Sequence, residues 1–202
     1  MIIKAYNNEL RPNDINKIVA CLEKGGIIIY PTDSVYAFGC HPNQRDAIER
    51  ICRLREKDLK RPLLSLVCSD IAQAREYTLF NDQTFKLMHS CLPGPYTFIL
   101  EGSNHLPKSF KERKTVGIRI PNHRVPNLIT QSLGMPMMTA SLRVPDTDDI
   151  EYMTHPELIH ERYGGVEILI DGGIGGTIPS TIIDCTGDEP VLVRKGLGDI
   201  EL

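Results

Sequence analysis

Residues 26–30 read Gly-Ile-Ile-Ile-Tyr, an uninterrupted apolar run between the pair Gly25-Gly26 and the polar stop Pro31-Thr32-Asp33-Ser34. Such a run has the length of a strand, and a strand without polar alternation is buried on both faces. A sheet built around it needs cover on both sides, which points to an α/β fold. The rest of the chain supplies that cover. Apolar residues at helical spacing mark helices over 14–23 (Ile15, Ile18, Val19, Leu22, with Asn13 as cap) and 44–55 (Ala47, Ile48, Ile51, Cys52, Leu54, with Asn43 as cap and Asp46 three residues on). Further helices are expected over 70–77, 82–90, 125–133 (closed by Gly134) and 156–163. Strands are expected over 1–6, 26–30, 63–68, 96–101, 115–120, 137–141, 166–171, 181–185 and 191–194. This alternation is irregular and fails in the last third. It predicts one domain over 1–202, a mixed twisted sheet flanked by helices, rather than a strictly parallel doubly wound fold.

Composition narrows the class. With 41% apolar and 24% charged residues in 202, the chain can bury a real core, so disordered and coiled-coil readings fail. No apolar run approaches the ~20 residues of a membrane span, and the N-terminal stretch lacks the pattern of a signal peptide; a soluble, cytoplasmic protein is expected. The six cysteines contain no Cys-x-x-Cys pair and several sit inside apolar patterns, which suits reduced, buried thiols better than disulfides. His155 and His160, five apart, would face different sides of a helix, and no metal centre is expected.

The net charge of −3 hides an asymmetry. Residues 50–61 hold six basic and two acidic side chains, and residues 108–124 hold six basic and one acidic. These segments either meet an anion, such as a nucleotide or a nucleic acid backbone, or are solvated basic faces. No phosphate-binding P-loop pattern, no Gly-x-Ser-x-Gly elbow and no Ser/His/Asp set occurs, and Asp171-Gly-Gly-Ile-Gly-Gly176 does not fit a dinucleotide fingerprint. What remains are short polar clusters at expected element edges. Thr32 and Asp33 follow the buried strand, and Arg55, Lys57, Lys60 and Arg61 fill a loop. Thr115 and Arg119 share one face of a strand. Ser141, Ser180 and Arg194 lie at strand termini. Permanent cations beside small hydroxyl donors suit phosphate and carboxylate recognition.

Five stretches, Gly25-Gly-Ile-Ile-Ile-Tyr-Pro-Thr-Asp33, Pro93-Gly-Pro-Tyr-Thr97, Val116-Gly-Ile-Arg-Ile-Pro121, Pro179-Ser-Thr-Ile-Ile-Asp184 and Arg194-Lys-Gly196, closely resemble the YrdC/Sua5/YciO family in order and over nearly the whole chain. Residues 51–55 and 66–68 look most like the YciO branch. The resemblance implies formation of threonylcarbamoyl-adenylate from ATP, L-threonine and bicarbonate, with Mg²⁺ carried on the triphosphate. The product would serve modification of tRNA adenosine 37 through other proteins. Carried over by position, Thr32, Arg119 and Ser180 would hold threonine. Arg55, Lys57, Thr115 and Arg194 would hold the nucleotide. Ser141 would lie between them, and Arg55, Lys57 and Ser141 would be catalytic.

Three departures from the family pattern stand out. Arg55-Glu56-Lys57 replaces Lys-x-Arg, Ser141-Leu142-Arg143 replaces Ser-x-Asn, and Leu66 stands where a histidine is usual. Longer members carry a further C-terminal domain, and none is expected here. The competing expectation is a protein of the same fold that binds nucleotide or double-stranded RNA with little or no synthesis, reading A-form shape through its basic segments.

Overall fold

The computed structural model describes residues 1–55, 64–110, 114–142 and 150–201. The first half runs β1 (Ile2–Lys4), α1 (Pro12–Glu23), β2 (Ile27–Tyr30), β3 (Ala37–Cys40), α2 (Arg45–Leu54), β4 (Ser65–Val67), α3 (Ile71–Tyr77) and β5 (Thr78–Leu79). Then come α4 (Asp82–Cys91), β6 (Tyr96–Gly102), a 3₁₀ turn at Lys108–Phe110, β7 (Thr115–Arg119), α5 (Arg124–Leu133) and β8 (Met137–Ser141). The chain closes with α6 (Glu151–Thr154), α7 (Pro156–Arg162), β9 (Ile168–Asp171), β10 (Thr181–Asp184) and β11 (Val191–Arg194).

All these strands join one sheet in the order β1-β9-β2-β3-β8-β4-β7-β6-β10-β11, with β5 pairing off this path to β6. β1 and β2 run parallel to β9, β4 to β7, and β6 to β10; the other neighbours are antiparallel. The mixed α/β sheet expected from the sequence is present. β3 is an addition: the apolar residues after Ser34 fold back on β2 as a hairpin, Ile27 opposite Cys40 and Tyr30 opposite Ala37. Among the described residues no helix is long and apolar enough to cross a membrane.

The helix starts differ from expectation. Arg11, not Asn13, precedes α1, and Pro12 opens it, because its fixed φ and missing N–H suit the first turn. At α2 the N-terminal residue is Gln44, not Asn43, and its side chain does not cap its own helix. Gln44 Nε2 instead donates to Glu23 O at 2.8 Å, satisfying the end of α1. Gly134 closes α5 as expected, with φ +69°.

Because side chains alternate along a strand, the sheet has two unlike faces. On one, Ile29, Phe38, Leu66, Phe98, Ile118 and Met138 pack with residues of α2, α3, α4 and α7. On the other, Ile28, Tyr30, Met137, Ile168 and Ile170 pack with Ile18 and Leu22 of α1 and Val125 and Ile129 of α5. This second apolar cluster takes no residue from β4, β6, β7 or β10. Over those strands the side chains facing away from the first core include Ser65, Thr97, Thr115 and Arg119, with Gly117 among them, and there the sheet carries a cavity.

Candidate functional site

The cavity has a volume of about 490 Å³, within the ~300–1,000 Å³ usual for small-molecule sites. Its floor is set by register. Ser65 of β4 lies opposite Thr139 of β8 on one side and Gly117 of β7 on the other. A Cβ at Gly117 would stand 2.4 Å from Ser65 Oγ and 3.2 Å from Thr97 Cγ2, so the glycine keeps the floor low between these two side chains. Thr115, Gly117 and Arg119 alternate on β7 and all line the cavity, as the four-residue spacing predicted.

Arg119 is the most constrained of the lining cations. It is only 3% exposed. Its Nη2 donates to Ser34 Oγ at 2.9 Å and to Asp33 Oδ1 at 3.3 Å, while its Nε is shut from solvent without a hydrogen-bond partner. Asp33 is fixed in turn: its Oδ2 accepts the Asn122 N–H at 2.8 Å. Ser34 is fixed by Thr32, whose Oγ1 accepts the Ser34 N–H at 3.1 Å and donates to Val35 O at 2.7 Å. Gly176 packs against the same turn, where a Cβ would stand 2.1 Å from Ser34 O. Asp33 and Ser34 thus fix the guanidinium at one edge of the cavity.

The opposite wall comes from the end of the chain. Ser180 Oγ shares a hydrogen bond with Thr97 Oγ1 at 2.9 Å, and Arg194 Nη2 donates to Ser180 O at 2.6 Å. Thr181 Oγ1 donates to Gly198 O at 2.6 Å and accepts the Gly196 N–H at 3.0 Å, which folds residues 196–198 against the start of β10. At Gly196 a Cβ would approach Pro179 O within 2.3 Å. Behind the floor, Thr139 Oγ1 donates to Phe38 O at 3.2 Å and meets the Tyr30 hydroxyl at 2.6 Å. Burial pushes the Tyr30 phenol up to about 12, so it stays a protonated donor.

The cavity lining thus brings together three guanidinium groups (Arg55, Arg119, Arg194) and seven hydroxyl side chains. Among the described residues it contains no carboxylate, imidazole, thiol or lysine. Of the expected site residues, Arg55, Thr115, Arg119, Ser141, Ser180 and Arg194 all line it. Thr32 does not. It borders an adjoining concavity of about 460 Å³ with Asp33, His123 and the loop at 172–176, and its hydroxyl is engaged in the turn. Lys57 and Arg143 lie outside the described residues. Leu66 is fully buried in the core on the far face of β4, so its apolar character fits its position.

Four hydroxyl residues of the lining, Ser65, Thr97, Thr139 and Thr177, were not among the expected site residues. Ser65 and Thr139 carry a sequence signal, each as a polar residue inside an apolar strand. The ligand space also lies over the sheet face, not only at strand ends, since Gly117 and Ile99 line it from mid-strand. The basic segments divide between this cavity and internal pairs: Arg50 with Glu167 at 2.9 Å, Arg53 with Glu49 at 3.6 Å, and Arg124 with Glu9. In the glycine-rich loop, the N–H of Gly172 goes to Tyr36 Oη, of Gly173 to Asp171 Oδ1, and of Gly175 to Thr154 O, so these donors are engaged within the chain.

The family model for Sua5, YciO and YrdC, described as "Telomere recombination", matches residues 20–196. The chain is 40% identical over 190 residues to the uncharacterized protein YciO of Escherichia coli, covering 93% of this chain and 91% of that protein. The crystal structure of E. coli YciO superposes with a TM-score of 0.87 and 38% identity, over 98% of this chain and 96% of that one. The crystal structure of P. abyssi Sua5 complexed with L-threonine gives a TM-score of 0.85 and 25% identity, over 97% of this chain but 57% of that longer protein.

Proposed function

Because this chain belongs to the Sua5/YciO/YrdC family, we propose that it forms threonylcarbamoyl-adenylate from ATP, L-threonine and bicarbonate, for the modification of tRNA adenosine 37. The observation that carries this reading is the convergence of three guanidiniums from residues 55, 119 and 194 on one cavity whose described lining has no carboxylate. Guanidiniums gathered beside small hydroxyl donors suit the recognition of phosphate and carboxylate groups.

In this reading the buried Arg119 takes the threonine carboxylate, with Ser180 beside it. Thr32 contributes by fixing the turn that holds Ser34 against the guanidinium. Arg55, Lys57, Thr115 and Arg194 take the nucleotide, and Ser141 stands between the two. The threonine nitrogen bonds to the carbon of bicarbonate with loss of water. An oxygen of the resulting N-carboxylate then attacks the α-phosphorus of ATP, and pyrophosphate leaves. Every reacting species is an anion, so the guanidiniums act by holding the two carboxylates and the triphosphate together and by screening their repulsion. No three of His, Cys, Asp or Glu among the described residues gather where they could hold an ion. In this reading Mg²⁺ would be carried on the phosphate oxygens of ATP.

Mass spectrometry of the purified protein after incubation with ATP, Mg²⁺, threonine and bicarbonate tests the proposal. The expected result is the adenylate, with pyrophosphate release that depends on threonine; absence of both contradicts it. The alternative, binding of double-stranded RNA without synthesis, draws on the exposed Lys108 and Lys114 near the 108–124 segment. It requires an RNA affinity that falls steeply with salt, whereas the synthase reading requires none.

A further inference from the structure

The exposed apolar side chains of this molecule are concentrated. Of eleven large hydrophobic residues exposed among those described, six are Ile174, Ile178, Val191, Leu192, Val193 and Leu197. Ile174, Ile178 and Leu197 border one concavity, and Leu197 N donates to Pro179 O beside Ile178. Arg194 binds back to Ser180 O, which ties β11 to the same edge of the molecule. Each of the six is 41–74% exposed, and Val191, Leu192 and Val193 make an aliphatic strip along one strand. Exposed aliphatic residues on a strand of this kind suit a contact with another macromolecule.

β11 supplies the centre of the strip and is the last strand of the sheet. It pairs with β10 on one side, and among the described residues no strand pairs with its other side. Val193 has no partner even on β10, because Ile182 pairs with Arg194 and Ile183 with Leu192. Edge strands are normally protected by lysine, proline or inward charge. Here Pro190 stands at the entry to the strand and the ladder is irregular at Val193, but the three residues before Arg194 are aliphatic, and the charges stand at the two ends: Asp188-Glu189 ahead of Pro190 and Arg194-Lys195 at the close of the strand.

That order of charge is self-complementary under a two-fold axis. If two copies meet antiparallel with Leu192 on the axis, Val191 of each lies across from Val193 of the other, and Glu189 across from Lys195, twice. We propose that β11 is the centre of a two-fold dimer of this chain, with Leu192 at the axis and Glu189 paired with Lys195 between copies. In the single chain these two charges have weak surface contacts, Glu189 with Gln83 Nε2 at 3.2 Å and Lys195 with Asp199 at 3.8 Å, which the dimer can exchange. An isologous contact of this type closes on itself and makes a dimer rather than a filament. The inference is independent of what the cavity binds.

Sedimentation velocity of the full chain over a wide concentration range tests it. The wild type is expected to move from monomer to dimer as concentration rises. Leu192→Asp, which sets two carboxylates face to face on the axis, is expected to abolish the dimer, as are Glu189→Lys and Lys195→Glu singly. The double variant Glu189→Lys/Lys195→Glu is expected to restore it. A wild type that stays monomeric at every concentration overturns the proposal and leaves the strip to a different protein. A dimer that survives Leu192→Asp, or a double variant that stays monomeric, overturns it as well. The substituted side chains are surface residues, and circular dichroism verifies that each variant is folded; were Leu192→Asp to unfold, the charge-exchange series decides alone.

Discussion

Replacing Arg119 by methionine separates two roles that one buried cation combines. The side chain holds Asp33 and Ser34 within the protein and, in our reading, the carboxylate of threonine. Arg119→Met keeps the volume but leaves Asp33, only 9% exposed at its side chain, without its cation. Breaking a buried pair from one side costs about 3–5 kcal/mol. Removing both charges, as in Asp33→Asn/Arg119→Met, should recover most of that loss, since a neutral replacement of a buried pair is often close to neutral in stability. Function should not recover. A hydrogen bond to a charged group contributes about 1.5–3 kcal/mol, so threonine affinity should fall roughly ten- to two-hundred-fold in both variants. Urea denaturation measures the first quantity and calorimetric titration with threonine the second. Threonine affinity in the double variant within about twofold of wild type, well under the ~1.4 kcal/mol that marks a tenfold change, would refute the carboxylate role. Equal stability of the single and double variants would refute the account of the pair.

Gly176→Ala and Gly196→Ala would drive a Cβ into backbone oxygens of Ser34 and Pro179, so each should destabilise by about 1–3 kcal/mol or more and impair ligand binding. Gly187→Ala, whose Cβ would stand 3.9 Å from Glu189 O, should stay within about 0.5 kcal/mol in the same denaturation assay. Burial, against the opposing pull of Asp33, holds the His123 imidazole below its ordinary value, and its Nδ1 accepts the Val125 N–H at the start of α5. The unfolded chain therefore binds the proton first, and stability should fall as pH drops below ~6.5 until the folded value is passed. His123→Asn keeps an acceptor at that position and should flatten this dependence in denaturation midpoints taken on either side of neutrality. Arg55→Ala should weaken ATP binding about tenfold while changing threonine affinity little, as read by separate titrations.

The fold class was legible because the apolar run at 27–30 and the helical spacing at 14–23 leave few alternatives. β3 was not, because the reading stopped at the polar turn of Pro31 to Ser34, and a strand that follows such a turn is recognised only when its partner's register is known. The helix caps were misplaced for a similar reason. Gln44 is used by the end of α1, a partner 21 residues away that local spacing does not reveal. At the site, side chains with a distinctive chemistry were found: six of the eight expected residues line the cavity. Thr32 was drawn in by its motif, but its hydroxyl serves the turn that positions Ser34 and, through it, Arg119. Ser65 was missed although it is a polar residue inside an apolar strand; Thr97 was missed because its importance comes from standing beside Gly117 across the strands, and register of that kind leaves no trace in a single sequence.

A crystal structure of this protein soaked with threonine and a non-hydrolysable ATP analogue tests the convergence of these side chains most directly. The account predicts the triphosphate against Arg55 and Arg194 and the amino-acid carboxylate within hydrogen-bond distance of Arg119, over Gly117. Ligands bound on another surface, with the cavity filled by solvent, would contradict it.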